Sequence, residues 1–465
     1  MKQRLFGVFG IAMPLFSLIV TSAAPASAQT NFTVLRSFSG IPDGAVPFGA
    51  LVDGKDGAFY GTTAAGGISN YGTIFRVNTD GSRPVILKSF IGSDGSAPLA
   101  GLVLSIDGKL FGTTFTGGTS NFGTVFSLGK NGSDFTVLHS FAGGPDGKSP
   151  KFPLIVGSDG VLYGTADFAD STNRGTIFRL NQDGTSYSVL HIFTGNPDGQ
   201  NPTKLLEGSD GNLYGATGFG GPTIAGTVFS IQKDGNGYAI LYNFQGRGGD
   251  GLSPGAGLVE GSDGALYGTT SHGGTGLGGT VFRLNMDGTG YGILRSFSDA
   301  GDDSYEPDTE LVEGTDGALY GSTYFGSNGS DNGTIYKLNK DGSGYTILRK
   351  FTGTSGDGQT PGALLLMTNG VFYGTTEYGG GGVGGGCVFA LGSVPLPPRV
   401  AALSASGSTN LMQCAATSGF QYDVQRSTNL SSWSVLASIT STNGGFTFSD
   451  STQLQPVAFY RLQQH

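Results

Sequence analysis

Charged residues are scarce in this chain. Lys, Arg, Asp and Glu make up 13% of 465 residues, and the 25 basic side chains are outnumbered by 34 acidic ones, for a formal charge of −9. An acidic chain without a basic stripe is a poor nucleic-acid binder. It is also repelled by anionic membranes and acidic polysaccharides unless cations intervene. Only two cysteines occur, Cys387 and Cys414, and neither has a Cys or His neighbour at metal-ligand spacing. No GxSxG elbow, HExxH or CxxC is present. Of the four histidines, His139 and His191 occupy an outer-strand slot that holds Arg36, Lys88, Arg295 and Arg349 elsewhere, His465 is terminal, and His272 stands alone. Beyond the N-terminus no apolar run approaches the ~20 residues that a transmembrane helix needs.

What the chain has in quantity is glycine, 85 residues, beside an aromatic content of 11%. The aromatics and the strand periodicity argue against a disordered linker, so the glycines punctuate hairpins. One phrase recurs seven times: Tyr60-Gly61-Thr62, Phe111-Gly112-Thr113, Tyr163-Gly164-Thr165, Tyr214-Gly215-Ala216, Tyr267-Gly268-Thr269, Tyr320-Gly321-Ser322 and Tyr373-Gly374-Thr375. The steps are 51, 52, 51, 53, 53 and 53 residues, a period that marks a propeller or a similar array. In the fifth copy, strands are expected at Gly257–Glu260, Ala265–Thr270, Thr280–Asn285 and Tyr291–Phe297. Asp263-Gly264 and Asp287-Gly288 form the tight turns. Apolar residues on both strand faces suit a blade sandwiched between two neighbours. Gly268 within a strand is expected to mark close approach of another backbone.

The copies begin and end out of phase. The fourth-strand pattern first appears as Phe32–Phe38, before any first strand, while the last third-strand pattern, Cys387–Leu391, has no fourth strand after it. Pairing these two segments closes a ring and removes a free sheet edge. The expected fold is all-β: a seven-bladed propeller with four-stranded blades, closed by the N-terminal strand.

The units GSDGALYGTT, GTVFRLN and DGTGYGILRSF resemble the GloVer tandem-repeat proteins, secreted bacterial "choice-of-anchor" proteins, over roughly residues 32 to 394. The resemblance implies a secreted repeat protein and no established activity. No C-terminal anchor is visible in this chain.

Residues 1–28 have the form of a signal peptide: Lys2 and Arg4, an apolar run Leu5 to Val20, then Ala26-Ser27-Ala28 before Gln29. No Cys follows the run, which argues against a lipoprotein. The propeller is expected over 29–394. A Pro-rich linker follows at 395–398, and then a small β-sandwich over 399–465, where Tyr422–Thr428, Trp433 and Phe459-Tyr460-Arg461 resemble short fibronectin-like domains. Trp433 is expected as a core anchor. Both cysteines are expected as buried free thiols.

Three acidic series repeat with the blades. Asp56, Asp107, Asp159, Asp210, Asp263 and Asp316, and separately Asp80, Asp183, Asp234, Asp287 and Asp341, sit in hairpins, with Asn369 and Asn131 as substitutes. They are expected to be turn devices. The third series precedes a proline by four residues: Asp43, Asp94, Asp146, Asp198, Asp250, Asp303 and Asp357. If the ring forms, these carboxylates share one face, either as loop caps or as part of a ligand-binding surface. Asp299, Asp302, Asp303, Glu306 and Asp308 crowd into ten residues and are the candidate calcium ligands. The links between second and third strands open on the same face and carry Phe168, Phe219, His272, Phe325 and Tyr378. These either plug grooves between blades or stack on sugar rings. Glycosidase chemistry requires two carboxylates flanking a bond, and no unique pair stands out.

The expected function is that of a non-catalytic, exported, monomeric repeat protein, secreted to the periplasm, cell surface or medium. It binds a glycan or an envelope protein through one face. The alternative is a secreted carbohydrate-active enzyme with a propeller catalytic domain.

Overall fold

The computed structural model describes residues 32–167, 174–298, 304–326, 332–354, 356–381, 385–392, 399–406, 409–415, 421–427, 432–440, 445–450 and 459–464. The expected signal peptide, the linker 395–398, Phe168, Asp299, Asp302 and Asp303 lie outside them. The described residues form strands and one 3-10 turn, Gly144–Asp146, with no α-helix. None of them forms a helix long and apolar enough to cross a membrane.

Seven antiparallel sheets make a ring. In the fifth blade the strands run Val259–Glu260, Ala265–Thr270, Leu277–Asn285 and Gly292–Ser298, so the innermost strand is shorter than its pattern and the third is longer. Phe32–Ser37 completes the seventh sheet against Cys387–Leu391, with Phe32 opposite Leu391 and Ser37 opposite Cys387. The out-of-phase ends of the repeat thus have a direct physical meaning: the first strand supplies the outer edge of the last blade.

The core is divided in the same way. Seven apolar clusters lie one between each pair of neighbouring blades. Ala58, Tyr60, Ile74 and Phe90 meet Leu102, Leu110, Phe126 and Leu128 between blades one and two. Phe59, Phe75 and Val77 meet Tyr373, Val388 and Ala390 where the ring closes. Each sheet therefore buries both faces, which is why its strands do not alternate cleanly.

The glycine of the recurrent phrase has a different cause from the one expected. A Cβ on Gly268 would stand 2.6 Å from Cζ of Phe282, its cross-strand partner. An aromatic ring, not a second backbone, fills that space, and Phe75 and Phe126 stand in the same way over Gly61 and Gly112.

Hydroxyls tie blades together. Thr62 donates to the Ala100 carbonyl at 2.8 Å, Thr269 to Thr309 at 3.2 Å, and Thr375 to Gly49 at 3.3 Å across the closure. On the hairpins, the Ser158, Ser209 and Ser262 amides donate to Glu207, Glu260 and Glu313 of the next blade at 2.7–2.8 Å.

The C-terminal segment forms two three-stranded sheets, Arg399–Ser406, Thr409–Ala415 and Gly445–Asp450 in one, Ser434–Thr440, Gln421–Ser427 and Phe459–Gln464 in the other. Met412, Cys414 and Val424 form its buried cluster, with Ile439, Phe446 and Phe448 against them. Trp433 is half-buried and outside that cluster. Cys387 and Cys414 are both buried and unbridged.

One repeated contact supplies a built-in comparison. A buried pair of threonine hydroxyls joins the second and third strands: Thr63 to Thr73, Thr114 to Thr124, Thr217 to Thr227, Thr270 to Thr280 and Thr323 to Thr334, at 2.8–3.0 Å. In the seventh blade the pair is Thr376 and Cys387, at 3.2 Å. In the third blade Ala166 faces Thr176, and the Thr176 hydroxyl is buried without a partner among the described residues. Ala166→Thr is expected to stabilise the protein by about 0.5–1.5 kcal/mol, read as a higher urea midpoint at unchanged m-value. No gain would mean that the hydroxyl is already satisfied.

Candidate functional site

Each link from an outer strand to the next innermost strand first makes a loop closed by its aspartate. The six described members of the third acidic series accept backbone N–H groups at 2.7–3.1 Å: Asp43 from Ser39, Asp94 from Ile91, Asp146 from Ala142, Asp198 from Thr194, Asp250 from Gln245 and Asp357 from Thr352. Each also meets a side chain of the preceding outer strand: Arg36, Lys88, His139, His191, Tyr242 and Arg349 respectively. His139 and His191 thus stand in for Arg and Lys as partners of the loop carboxylate. In Asp146, burial raises the carboxyl pKa, and hydrogen bonds from His139 and the Ala142 amide outweigh it, for a net lowering.

The hairpin aspartates behave as turn devices. Asp56, Asp159, Asp210, Asp263 and Asp316 accept the hydroxyl of the tyrosine four residues on at 2.7–2.9 Å. Asp80, Asp183, Asp234, Asp287 and Asp341 accept the amide two residues on at 2.8–2.9 Å.

After its aspartate, each link turns inward. Val46, Ala97, Ser149, Asn201, Ser253, Glu306 and Thr360, each just before a proline, have φ between 51° and 58°. This left-handed conformation is costly for a residue with a Cβ, most of all for Val46 and Thr360. It is held by hydrogen bonds such as Ala97 N–H to the Tyr71 carbonyl and Glu306 N–H to the Gly278 carbonyl, at 2.9 and 2.8 Å. The residues after the prolines then reach the throat of the ring.

There the blades stop resembling one another. The residue after the proline is Phe48, Leu99, Lys151, Thr203, Gly255, Asp308 or Gly362. The residue leaving the second strand is Ala64, Phe115, Asp167, Gly218, Ser271, Tyr324 or Glu377. Phe48, Leu99, Lys151, Phe152 and Asp308 line two adjoining spaces. One is a chamber of ≈ 540 Å³ that also meets Phe219, Ser271 and His272, a volume typical of ligand sites. The other is a narrow well of ≈ 90 Å³, reached by Lys204, Glu310, Tyr324 and Glu377.

Small residues in the fifth blade make room for charge. A Cβ on Gly255 would lie 1.5 Å from the Asp308 carboxylate, and one on Gly257 would lie 3.1 Å from the Lys204 Cβ. Across that gap Lys204 and Glu310 pair at 2.7 Å. Asp308 accepts the Ser271 hydroxyl at 2.9 Å, and His272 meets Glu306 at 3.4 Å. Asp308 faces the solvent of the throat, yet the surrounding protein raises its pKa by desolvation. The Glu306 carboxyl is raised by burial, with His272 opposing. Glu377 is 6% exposed; burial pushes it up to about 7, the Tyr324 hydroxyl at 3.4 Å opposing and negative Asp308 adding to the shift.

Of the residues singled out in the sequence, Phe219, His272 and Asp308 meet in the chamber, and Glu306 joins them through His272. Phe325 stacks on Tyr305 at a centroid distance of 4.9 Å, and Tyr378 pairs with Gln359 in the inner part of the seventh sheet. Among the described residues no group of three or more His, Cys, Asp or Glu side chains is placed to hold a metal ion; Asp299, Asp302 and Asp303 lie outside them. Sequence reasoning missed Lys151, Lys204 and Glu377, whose only signal is a charged side chain at positions where the seven copies disagree.

The sequence model described as the Gloeobacter/Verrucomicrobia repeat matches residues 24–194 and 153–389. No curated protein matches the chain. Among solved structures, an oligogalacturonate lyase from Vibrio parahaemolyticus is 11% identical, with a TM-score of 0.51 over 79% of this chain and 94% of that one. The extracellular domain of a two component system from B. thetaiotaomicron is also 11% identical, with a TM-score of 0.53 over 90% of this chain and 55% of that one. At such identity the likeness is one of fold.

The Glu377 shift makes stability depend on pH. The folded protein holds that proton more tightly than the unfolded chain, so stability falls as pH rises from the unfolded carboxyl range near ~4.3 through about 7. Glu377→Gln is expected to stabilise the protein at pH 8 by on the order of 1–3 kcal/mol and to converge with the parent near pH 4. Urea midpoints across that interval check it; a pH-independent offset would show that Glu377 does not carry the titration.

Proposed function

The chain belongs to the Gloeobacter/Verrucomicrobia repeat family, and from that premise we propose that it is an exported binding protein whose throat receives a glycan. The observation that carries this is the lining of the ≈ 540 Å³ chamber. Apolar ring faces from Phe48, Phe152 and Phe219 stand with the polar groups of Lys151, Ser271, His272 and Asp308 around one space. A sugar presents the complementary pattern, a C–H face that packs on aromatic rings and hydroxyls that bond carboxylates, amines and hydroxyls. Phe219 is 46% exposed and Phe48 44%, and neither is spent on a core cluster. Lys151 has no ion pair or hydrogen bond among the described residues; its ammonium lies 5.3 Å from the Phe152 ring. By contrast, the described loop aspartates are occupied by their own amides and outer strands, so this proposal rests on the chamber rather than on the ring of carboxylates. Export is supported by the form of residues 1–28.

Titration calorimetry of the full chain against soluble polysaccharides, with and without calcium, tests the proposal. Phe219→Ala and Lys151→Ala are each expected to weaken binding tenfold or more, while Asp94→Asn, in a loop outside the chamber, leaves it unchanged. Calcium dependence would bring the acidic link at 299–308 into the site. Binding that survives both chamber substitutions would place the ligand elsewhere.

A further inference from the structure

The throat holds a carboxyl whose charge only one long hydrogen bond, from the Tyr324 hydroxyl, helps to stabilise among the described residues. Elsewhere in the ring such groups end on cations or amides: Asp43 on Arg36, Asp357 on Arg349, Glu207 on Lys233. Glu377 is almost fully buried, and its one hydrogen bond among the described residues comes from the Tyr324 hydroxyl at 3.4 Å, a long contact for an O–H donor. Burying an uncompensated carboxylate is costly, and nothing in the blade requires it: the same position is Ala64 in the first blade and Gly218 in the fourth. Asp308 lines the same well. It too has no cation within ion-pair distance among the described residues, it accepts only the Ser271 hydroxyl, and Gly255 keeps its space open. Two carboxyls thus border one cavity, Glu377 almost fully buried and Asp308 with an exposed face, and desolvation raises the pKa of both. Such a pair divides into a proton donor and a proton acceptor.

We propose that the throat is a hydrolytic centre for a glycosidic bond, in which Glu377 is the proton donor and Asp308 the base. This rests on the glycan assignment above and goes beyond it. The Glu377 proton passes to the bridging oxygen as the bond from that oxygen to the anomeric carbon breaks. A water oxygen bonds the anomeric carbon, and its proton passes to Asp308. One glycoside and one water give two hydroxyl-ended sugars, and proton exchange with solvent restores both carboxyls. Burial, with negative Asp308 adding to it, keeps the proton on Glu377 near neutral pH, and Tyr324 is a positioning residue that sets where Glu377 releases it. The other charged groups lining the well and the chamber are Lys151, the Lys204–Glu310 pair and His272, which meets Glu306.

The test measures new reducing ends, beside binding, for the full chain with laminarin, xylan, galactomannan, polygalacturonate and alginate from pH 4 to 9. The expected result is cleavage of a polysaccharide that binds, with kcat/KM falling as pH passes about 7. Glu377→Gln should bind that polysaccharide normally and cleave it at least a hundredfold more slowly. Tyr324→Phe should cleave it with the alkaline limb moved to higher pH, because a donor to the carboxylate has gone. A merely structural tyrosine would leave that limb in place. Binding without cleavage at any pH, or cleavage undiminished in Glu377→Gln, overturns the hydrolytic assignment and leaves the binding proposal standing. Absence of binding to every polysaccharide overturns both.

Discussion

The ring depends on one constraint: each sheet is apolar on both faces and has to be covered on both. A single blade cannot meet that demand, and an open stack leaves its two end sheets bare. Closure meets it, and the seven interblade clusters are the result. The pairing of Phe32–Ser37 with Cys387–Leu391 is therefore the contact on which the others rely. It joins segments some 350 residues apart in the chain and converts a linear array into a shape without an exposed edge.

Much of this was legible because repetition turns one chain into its own comparison set. Seven copies gave the blade number, and the phase difference between the ends gave the closure. Asp-to-Asn exchanges in hairpins pointed to turn roles, which the bonds from Tyr60 to Asp56 and from Ser82 to Asp80 bear out. The strained residues before the prolines were not legible, since Val46, Ala97 and Ser149 share no side-chain chemistry. What they share is a hydrogen-bonded backbone position, and that depends on the neighbouring blade. Gly268 showed that something approached it but not what, because the ring of Phe282 arrives from a cross-strand position that the pattern alone does not name.

The candidate site was harder for a related reason. A search guided by recurrence finds what all blades share, and that is the frame. Lys151, Lys204, Asp308 and Glu377 sit where the blades disagree, and a single sequence shows disagreement without saying which variants converge in space. The links bring Lys151, Lys204 and Asp308 together because every turn before a proline sends its chain to the same axis, and Glu377 reaches the same well from the end of a second strand. The glycines at 255 and 257 then matter as much as the charges, since their missing side chains let Asp308 and the Lys204–Glu310 pair occupy the opening.

The two or three residues between each link proline and the leucine that follows stay out of the seven interblade clusters, while their backbones carry ties between blades, as at the Ala100, Thr309 and Gly49 carbonyls. The lining of the opening and the joints of the ring are therefore written in the same short segments, the lining in their side chains and the joints in their carbonyls, so a change of side chain there alters the opening while the backbone goes on bridging the blades.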